Sequence, residues 1–520
     1  MKNLKLLSVF VSIILLSLCS TTVFSKSNVI RIAHSEYAFT YDPVFCGWSD
    51  VGRICTVAYD GLLKYEPNNK VVVPHLARSY TKLDSGMRYR FVLNKNVKFH
   101  NGNIMTSSDV KYSFERLLAI NDGVGQLISD VKNINIIDDH TLDIVLKRAT
   151  EGFVYMLPQI MIIDSKEAKK NEINGDWAQK YLENHDLGSG PYKLSLHLAE
   201  QRSEFVKFDD YWKGWRNDNI DGVVFLWIKD SATQRLMLEK GDLDIMMEPV
   251  MIELEDLKKN NDLKILSDSS AVVFSIDLRV IRKPLDNINI RKALAHAIDY
   301  DYHLNVALAG YGKRAKGPLG SQLKYFNNDL KLVDFNMEKA KNYLKKAGYP
   351  NGGFNLKLVY QSAHFELQRA LEMIQQNWGM LGIKVEPIST DWMGQYEMQK
   401  NKDADVDVFL GYLWPNAAET DVALRPYFHT DFKGTYGENA AYWSNDKVDK
   451  LLDAGLVEQD LRKRENFYKK AQAEIIKHQP SIFVSESPYV IVARKNVNGY
   501  EYNPAHHQVV DVYNMTLSSK

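Results

Sequence analysis

Tyr59-Asp60-Gly61-Leu62, Pro74-His75-Leu76-Ala77-Arg78-Ser79, Val97-Lys98-Phe99-His100-Asn101-Gly102 and Thr106-Ser107-Ser108-Asp109-Val110 follow one another in that order. Within this stretch Arg88 to Leu93 alternates polar and apolar residues as a half-buried strand does. Thr106 then offers an N-cap with Asp109 in the first turn, and Val110, Phe114, Leu117 and Leu118 recur at helical spacing. Strand therefore gives way to a helix with one apolar face. The same alternation runs outward in both directions. Val29 to His34, Thr141 to Leu146, Val223 to Ile228, Val272 to Asp277, Leu356 to Tyr360, Val406 to Leu413 and Val490 to Ala493 read as strands. Ile290, Leu294 and Ile298 repeat the helical pattern, as do Ala340, Tyr343, Leu344 and Ala347 before Gly348 and Pro350. Strands interleaved with helices predict an α/β fold.

The ends and the composition narrow the class. Lys2 and Lys5, the apolar run Leu6 to Leu18 and the small residues near Ser25 predict a cleaved secretory signal over residues 1–25. The run is too short to span a bilayer. Export to the periplasm or cell surface follows, with lipidation of Cys19 as the alternative, against which bulky Leu18 argues. Cleavage leaves Cys46 and Cys55, an even pair in an oxidising compartment, which reads as a disulfide. The other reading is two unpaired small core residues. A chain of 520 residues exceeds what one core organises, so two or three lobes are expected. The 65 basic and 65 acidic side chains balance, which argues against nucleic acid or an anionic membrane as partner.

The opening motifs continue into Gly188-Ser189-Gly190-Pro191-Tyr192, Tyr211-Trp212, Leu238-Glu239-Lys240-Gly241-Asp242-Leu243-Asp244-Ile245, Ile290-Arg291-Lys292-Ala293-Leu294 and Ala297-Ile298-Asp299. This series resembles the extracellular solute-binding proteins of family 5, exported receptors that deliver peptides, and in some members nickel, haem or oligosaccharides, to ABC importers. The resemblance implies a two-lobed periplasmic binding protein of type II, the Venus-flytrap form, with an extra domain inserted in the first lobe. Carried onto this chain, lobe I combines 26–64, 187–280 and 488–520, the insertion is 65–186, and lobe II is 281–487. Hinges fall near 277–282 and 486–489. It also implies a monomer, a small-molecule or peptide ligand, and an inner-membrane ABC permease with its ATPase as partner, with no cofactor and no resident metal.

In similar proteins the cleft is lined by the loop after the first strand and by a loop after a late strand, here Gly411 to Asn416. Tyr37, Trp48, Tyr412, Trp414 and Asn416 are the candidates, because an aromatic floor buries apolar area against peptide side chains or sugar faces alike. Peptide-binding relatives carry an Asp in this loop, in a pattern like Gly-Trp-x-x-Asp, that pairs with the ligand's α-ammonium; here that position is Pro415. Glu419 or Asp421 could supply the charge from a shifted register, since a buried ammonium needs a partner, the alternative being two solvated loop acids. Histidine ligation of nickel or haem reads less well: adjacent His506 and His507 face opposite ways in an extended chain, and His429 is kept in reserve. Peptide is the first expected ligand, with an oligosaccharide, opine-like conjugate, nickel or haem as the runner-up. A secreted hydrolase is the reading from another class, but the chain has no HExxH, GxSxG or P-loop motif, and Asp403, Asp405 and Asp407 read as one solvated strand edge.

Overall fold

Two antiparallel strands, Leu263–Leu278 and Ser481–Arg494, each run through two cores and organise the molecule. The computed structural model describes residues 28–66, 71–434, 438–504, 507 and 509–518; the expected signal segment 1–25, Cys19 and His506 lie outside the described residues. The first half of the pair, Leu263 to Ser269 against Pro488 to Arg494, packs beside the strands Ile245–Met246, Val29–His34 and Gly222–Trp227. The second half, Val273 to Asp277 against Ser481 to Glu486, packs beside Val408–Leu413, Phe354–Gln361 and Ile383–Thr390. Between them the register breaks from Ser269 to Val273.

The cores divide at the same place. Leu263, Val490 and Val492 pack with Ala33, Leu238 and Leu254, whereas Phe274, Ile276, Leu278, Ile482 and Val484 pack with Ile290, Leu294, Leu358 and Trp378. Sequence alternation stops at Val272 because Ser267-Asp268-Ser269-Ser270 reads as a polar strand end. In the structure this segment leads into the register break: the backbone ladder runs on to Ser269 although apolar burial is interrupted from Ser267.

A four-stranded antiparallel sheet, Ala77–Leu83, Arg88–Leu93, Thr141–Leu146 and Val131–Asp138 in spatial order, stands beside the first half. The helix Ser107–Ile120 covers it, opened by a capping box in which Thr106 and Asp109 bond reciprocally. Its residues Phe91, Leu142, Ile144, Val110 and Phe114 share one core with Ile30, Ile32, Tyr192 and Phe205 of the central sheet.

The motifs that open the sequence are structural ties. Asp60, 4% exposed, accepts from His75 Nε2 at 2.6 Å, Trp212 Nε1 at 2.9 Å, and the hydroxyls of Tyr211 and Ser189 at 3.4 Å each. One carboxylate thus joins four of the separated motifs. Gly188 and Gly190 lie against the chain before it, where an added Cβ would stand 1.8 Å from Ala58 O and 2.5 Å from Ala58 C, so no larger residue fits. Cys46 and Cys55 are bridged, with Cα atoms 5.8 Å apart, at the start of the helix Ser49–Ala58.

Candidate functional site

The strand Val408–Leu413 delivers Tyr412 and then Trp414 to the junction between the two halves. The Tyr412 hydroxyl donates to Glu366 Oε1 at 2.8 Å, and its ring lies 5.6 Å from Phe274 and 5.8 Å from Trp414. The Trp414 backbone is pinned by Tyr427, whose oxygen accepts from Trp414 N at 2.9 Å. Trp414 then meets His507 edge-on at 5.0 Å. His507 belongs to the chain's last segment, which returns to the first half of the sheet: Tyr502 and His507 Nδ1 hydrogen-bond at 2.6 Å, Tyr489 stacks on Tyr502 at 4.0 Å, and the hydroxyls of Tyr489 and Tyr500 bond each other. Burial, reinforced by the nearby Arg53 cation, pushes His507 down to about 3, so its imidazole is neutral at physiological pH.

Beneath these rings lies a charged group built from both ends of the first half. Glu248 lies 2.8 Å from His34 Nε2 and accepts from Arg53 Nη2 at 3.2 Å and from both the hydroxyl and the backbone N–H of Ser35. Burial acts to raise the Glu248 carboxyl, but His34 and then Arg53 and Ser35 outweigh it and hold it well below the usual range. Glu248 is therefore ionised, and the Arg53 cation acts electrostatically on Tyr489, Tyr500 and His507.

Two seams flank this centre. On one side Phe39, Phe45 and Trp48 cluster at 5.1 to 5.8 Å, and Trp48 reaches Tyr396 of the helix Trp392–Lys400 at 6.2 Å. On the other side Ala418 N donates to Tyr65 O at 3.0 Å, Lys324 Nζ donates to Tyr155 O at 2.7 Å, and Lys82 reaches Gln459 at 2.8 Å.

Of the residues the sequence singles out, Tyr412, Trp414 and Trp48 line this junction, Asn416 is half-buried two residues beyond Trp414, and half-buried Tyr37 packs against the first-lobe core. Glu419 and Asp421 do not serve as free carboxylates. Glu419, 3% exposed, pairs with Arg464 at 2.6 Å, and Asp421 pairs with Arg425 at 2.7 Å and accepts from Tyr468 at 3.1 Å. The helix Thr420–Phe428 starts here, and both acids fasten it to the helix Leu461–His478 or to itself. They are not solvated loop acids, and each carboxylate is already paired within the protein. His429 sits outside the cleft, its Nε2 3.4 Å from Asp453. Among the described residues no group of three or more His, Cys, Asp or Glu side chains could hold a metal ion.

Sequence reading missed Arg53, Glu248, Tyr489, Tyr500 and Tyr502, and set His507 aside. Arg53 carries a usable signal, as a cation inside the apolar run Val51 to Ala58. Its partner lies 195 residues away, a pairing no local pattern reveals. A separate cavity of about 90 Å³, lined by Asp60, Lys64, His75, Lys213 and Tyr513, lies wholly within the first half and its C-terminal segment.

The arrangement is that of a two-lobed α/β binding protein: two cores joined by paired crossings, with an aromatic junction between them. The model for bacterial extracellular solute-binding proteins, family 5, matches residues 71–435, and the chain belongs to that family. It is 28% identical over 496 residues to the glutathione-binding protein GsiB of Pectobacterium atrosepticum, covering 94% of each chain. It is 26% identical to heme-binding protein A of Haemophilus influenzae, covering 86% of this chain and 84% of the relative. Among solved structures, the ABC transporter-associated periplasmic binding protein DppA of Helicobacter pylori, in complex with the peptide STSA, superposes with a TM-score of 0.86 at 23% identity, covering 95% of this chain and 98% of that one. The family and the fold expected from the sequence are thus found.

Proposed function

We propose that this chain is the substrate-binding component of an ABC importer and that it captures a peptide at the junction of Trp414, Tyr412, His507 and Tyr489 before delivering it to a membrane permease with its ATPase. The observation that carries this reading is the Trp414–His507 contact at 5.0 Å, which brings the late loop of one lobe against the last segment of the other. A solute held there touches both lobes and so favours the closed state over the open one. Peptide comes first because the glutathione-binding relative covers nearly the whole chain and the Helicobacter pylori neighbour holds a peptide. Pro415 in place of an acid favours the second reading, a non-peptide solute such as an opine-like conjugate or haem. No catalytic role is assigned to any cleft residue, and the protein acts as an exported monomer.

The lobes in this reading are 26–64 with 187 to about 269 and 488–520, and about 273 to 486, with 65–186 inserted in the first. The crossing lies at 269–273 and 486–488, where the register of the paired strands breaks. This is earlier in the first strand than 277–282, because Phe274, Ile276 and Leu278 already belong to the second core.

Native mass spectrometry of the protein purified from its exported compartment, followed by denaturation, tests the reading. A ladder of peptide masses is expected. A single non-peptide mass would favour the second reading, and turnover of peptides or glycosides abolished by a cleft carboxylate variant would overturn both.

A further inference from the structure

We infer that Arg53 is the residue through which the cleft reads its ligand, and that it reads a carboxylate, leaving the amine end of the ligand unrecognised. The inference rests on the receptor reading above and names the polarity of the solute.

The Arg53 side chain is only 9% exposed, yet among the described residues its one side-chain contact is Nη2 to Glu248 at 3.2 Å, and Nε has no hydrogen-bond partner there. A guanidinium carries five N–H donors in a rigid fork, and a buried donor left without an acceptor is costly. Glu248, by contrast, is met also by His34 Nε2 at 2.8 Å and by the Ser35 hydroxyl and N–H. The carboxylate keeps the Ser35 hydroxyl and N–H as donors without Arg53, whereas Glu248 reaches only Nη2 of the guanidinium. The pair thus positions Arg53 without using up its donors.

What surrounds Arg53 on the cleft side is neutral. Its charge acts on Tyr489, Tyr500 and His507, whose hydroxyls and imidazole burial keeps uncharged, with exposed Asp268 as the further acid near Tyr489. Those same rings lead to Trp414. An incoming carboxylate would find the unpartnered Nε of Arg53, and a guanidinium can hold a carboxylate through two parallel bonds. At the other side of the junction the counterpart is missing. Pro415 occupies the place of the expected acid, and Glu419 and Asp421 are closed into pairs with Arg464 and Arg425. Glu438, beside the Tyr427 that pins Trp414, is raised to about 7 by burial, so the acids near that loop are either paired or held protonated, and recognition through the anionic end follows from these together with the unsupplied Nε of Arg53.

The test is competition, read by native mass spectrometry, among three equimolar tri- to pentapeptide libraries: free acids, N-acetylated free acids and C-terminal amides. The unmodified protein should bind acids and N-acetylated acids within about threefold of each other and amides at least about 30-fold more weakly. Arg53→Met should bring the acids down to the level of the amides, and Arg53→Lys should restore part of the difference. Equal binding of amides and acids, or strong loss on N-acetylation, overturns the inference while leaving the peptide reading standing. Binding from none of the libraries overturns both. The acid–amide comparison on the unmodified protein decides the question even if Arg53→Met folds poorly.

Discussion

Glu438 shows how far one buried carboxyl can tilt the stability of the whole chain. Burial raises it to about 7, against the single lowering influence of a hydrogen bond with Tyr427, and its Oε2 lacks a partner among the described residues. Unfolded, a glutamate titrates near about 4.3. Between those values the unfolded chain releases a proton that the folded chain keeps, so the stability contribution is complete at low pH and is lost as the pH rises through about 7. Glu438→Gln should remove this slope, adding about 3 to 4 kcal/mol at pH 8 and little near pH 4.5, as read from urea midpoints at the two pH values. An equal change at both would show that the effect is packing. Trp414 could be singled out from the sequence because the late loop could be placed by resemblance, and the structure sets it against His507. Arg53 and Glu248 could not, because the chemistry of that pair exists only once strand and helix ends 195 residues apart are brought together.

At the scale of elements, the start of the helix Ser107–Ile120 was readable because it is written chemically in Thr106 and Asp109. Thr106 Oγ1 accepts from Ser108 N at 3.3 Å while Asp109 Oδ2 accepts from Thr106 N at 2.8 Å. Thr106→Ala should therefore cost about 1 kcal/mol in chemical denaturation with no effect on ligand affinity, since the cap lies on the inserted sheet. The strands Val29–His34, Arg88–Leu93 and Thr141–Leu146 were equally legible, each bounded by a change of polarity. The long strands were not. Their polar middle, Ser267 to Ser270, obeys the crossing between lobes rather than any local propensity, and Ser270 is held there by bonding Ser487 O. Ile298 misled in the opposite direction, since it is fully buried although the helix Ile288–His296 has already ended.

For the whole molecule, the contacts between the lobes imply that closure is a fitted event. Gly152 faces Glu419 so closely that an added Cβ would stand 2.5 Å from its carboxyl carbon, and Arg464 holds that carboxylate at 2.6 Å so it cannot swing aside. Gly152→Ala should leave stability in the open form within about 0.5 kcal/mol, because the strain arises only when the lobes meet, while lowering ligand affinity about tenfold through a smaller closed population. Scattering profiles with and without ligand would read the loss of compaction. The family and the two-lobed fold were legible through resemblance; the register break in the paired strands and the internal pairing of Glu419 and Asp421 needed the assembled cores. The central claim is that solute is held where Trp414 meets His507. Its most direct test is titration calorimetry of the solute released from the purified protein against wild type and Trp414→Ala: the account predicts an affinity loss of about 30-fold or more with an unchanged melting midpoint, and unchanged affinity would contradict it by placing the ligand elsewhere.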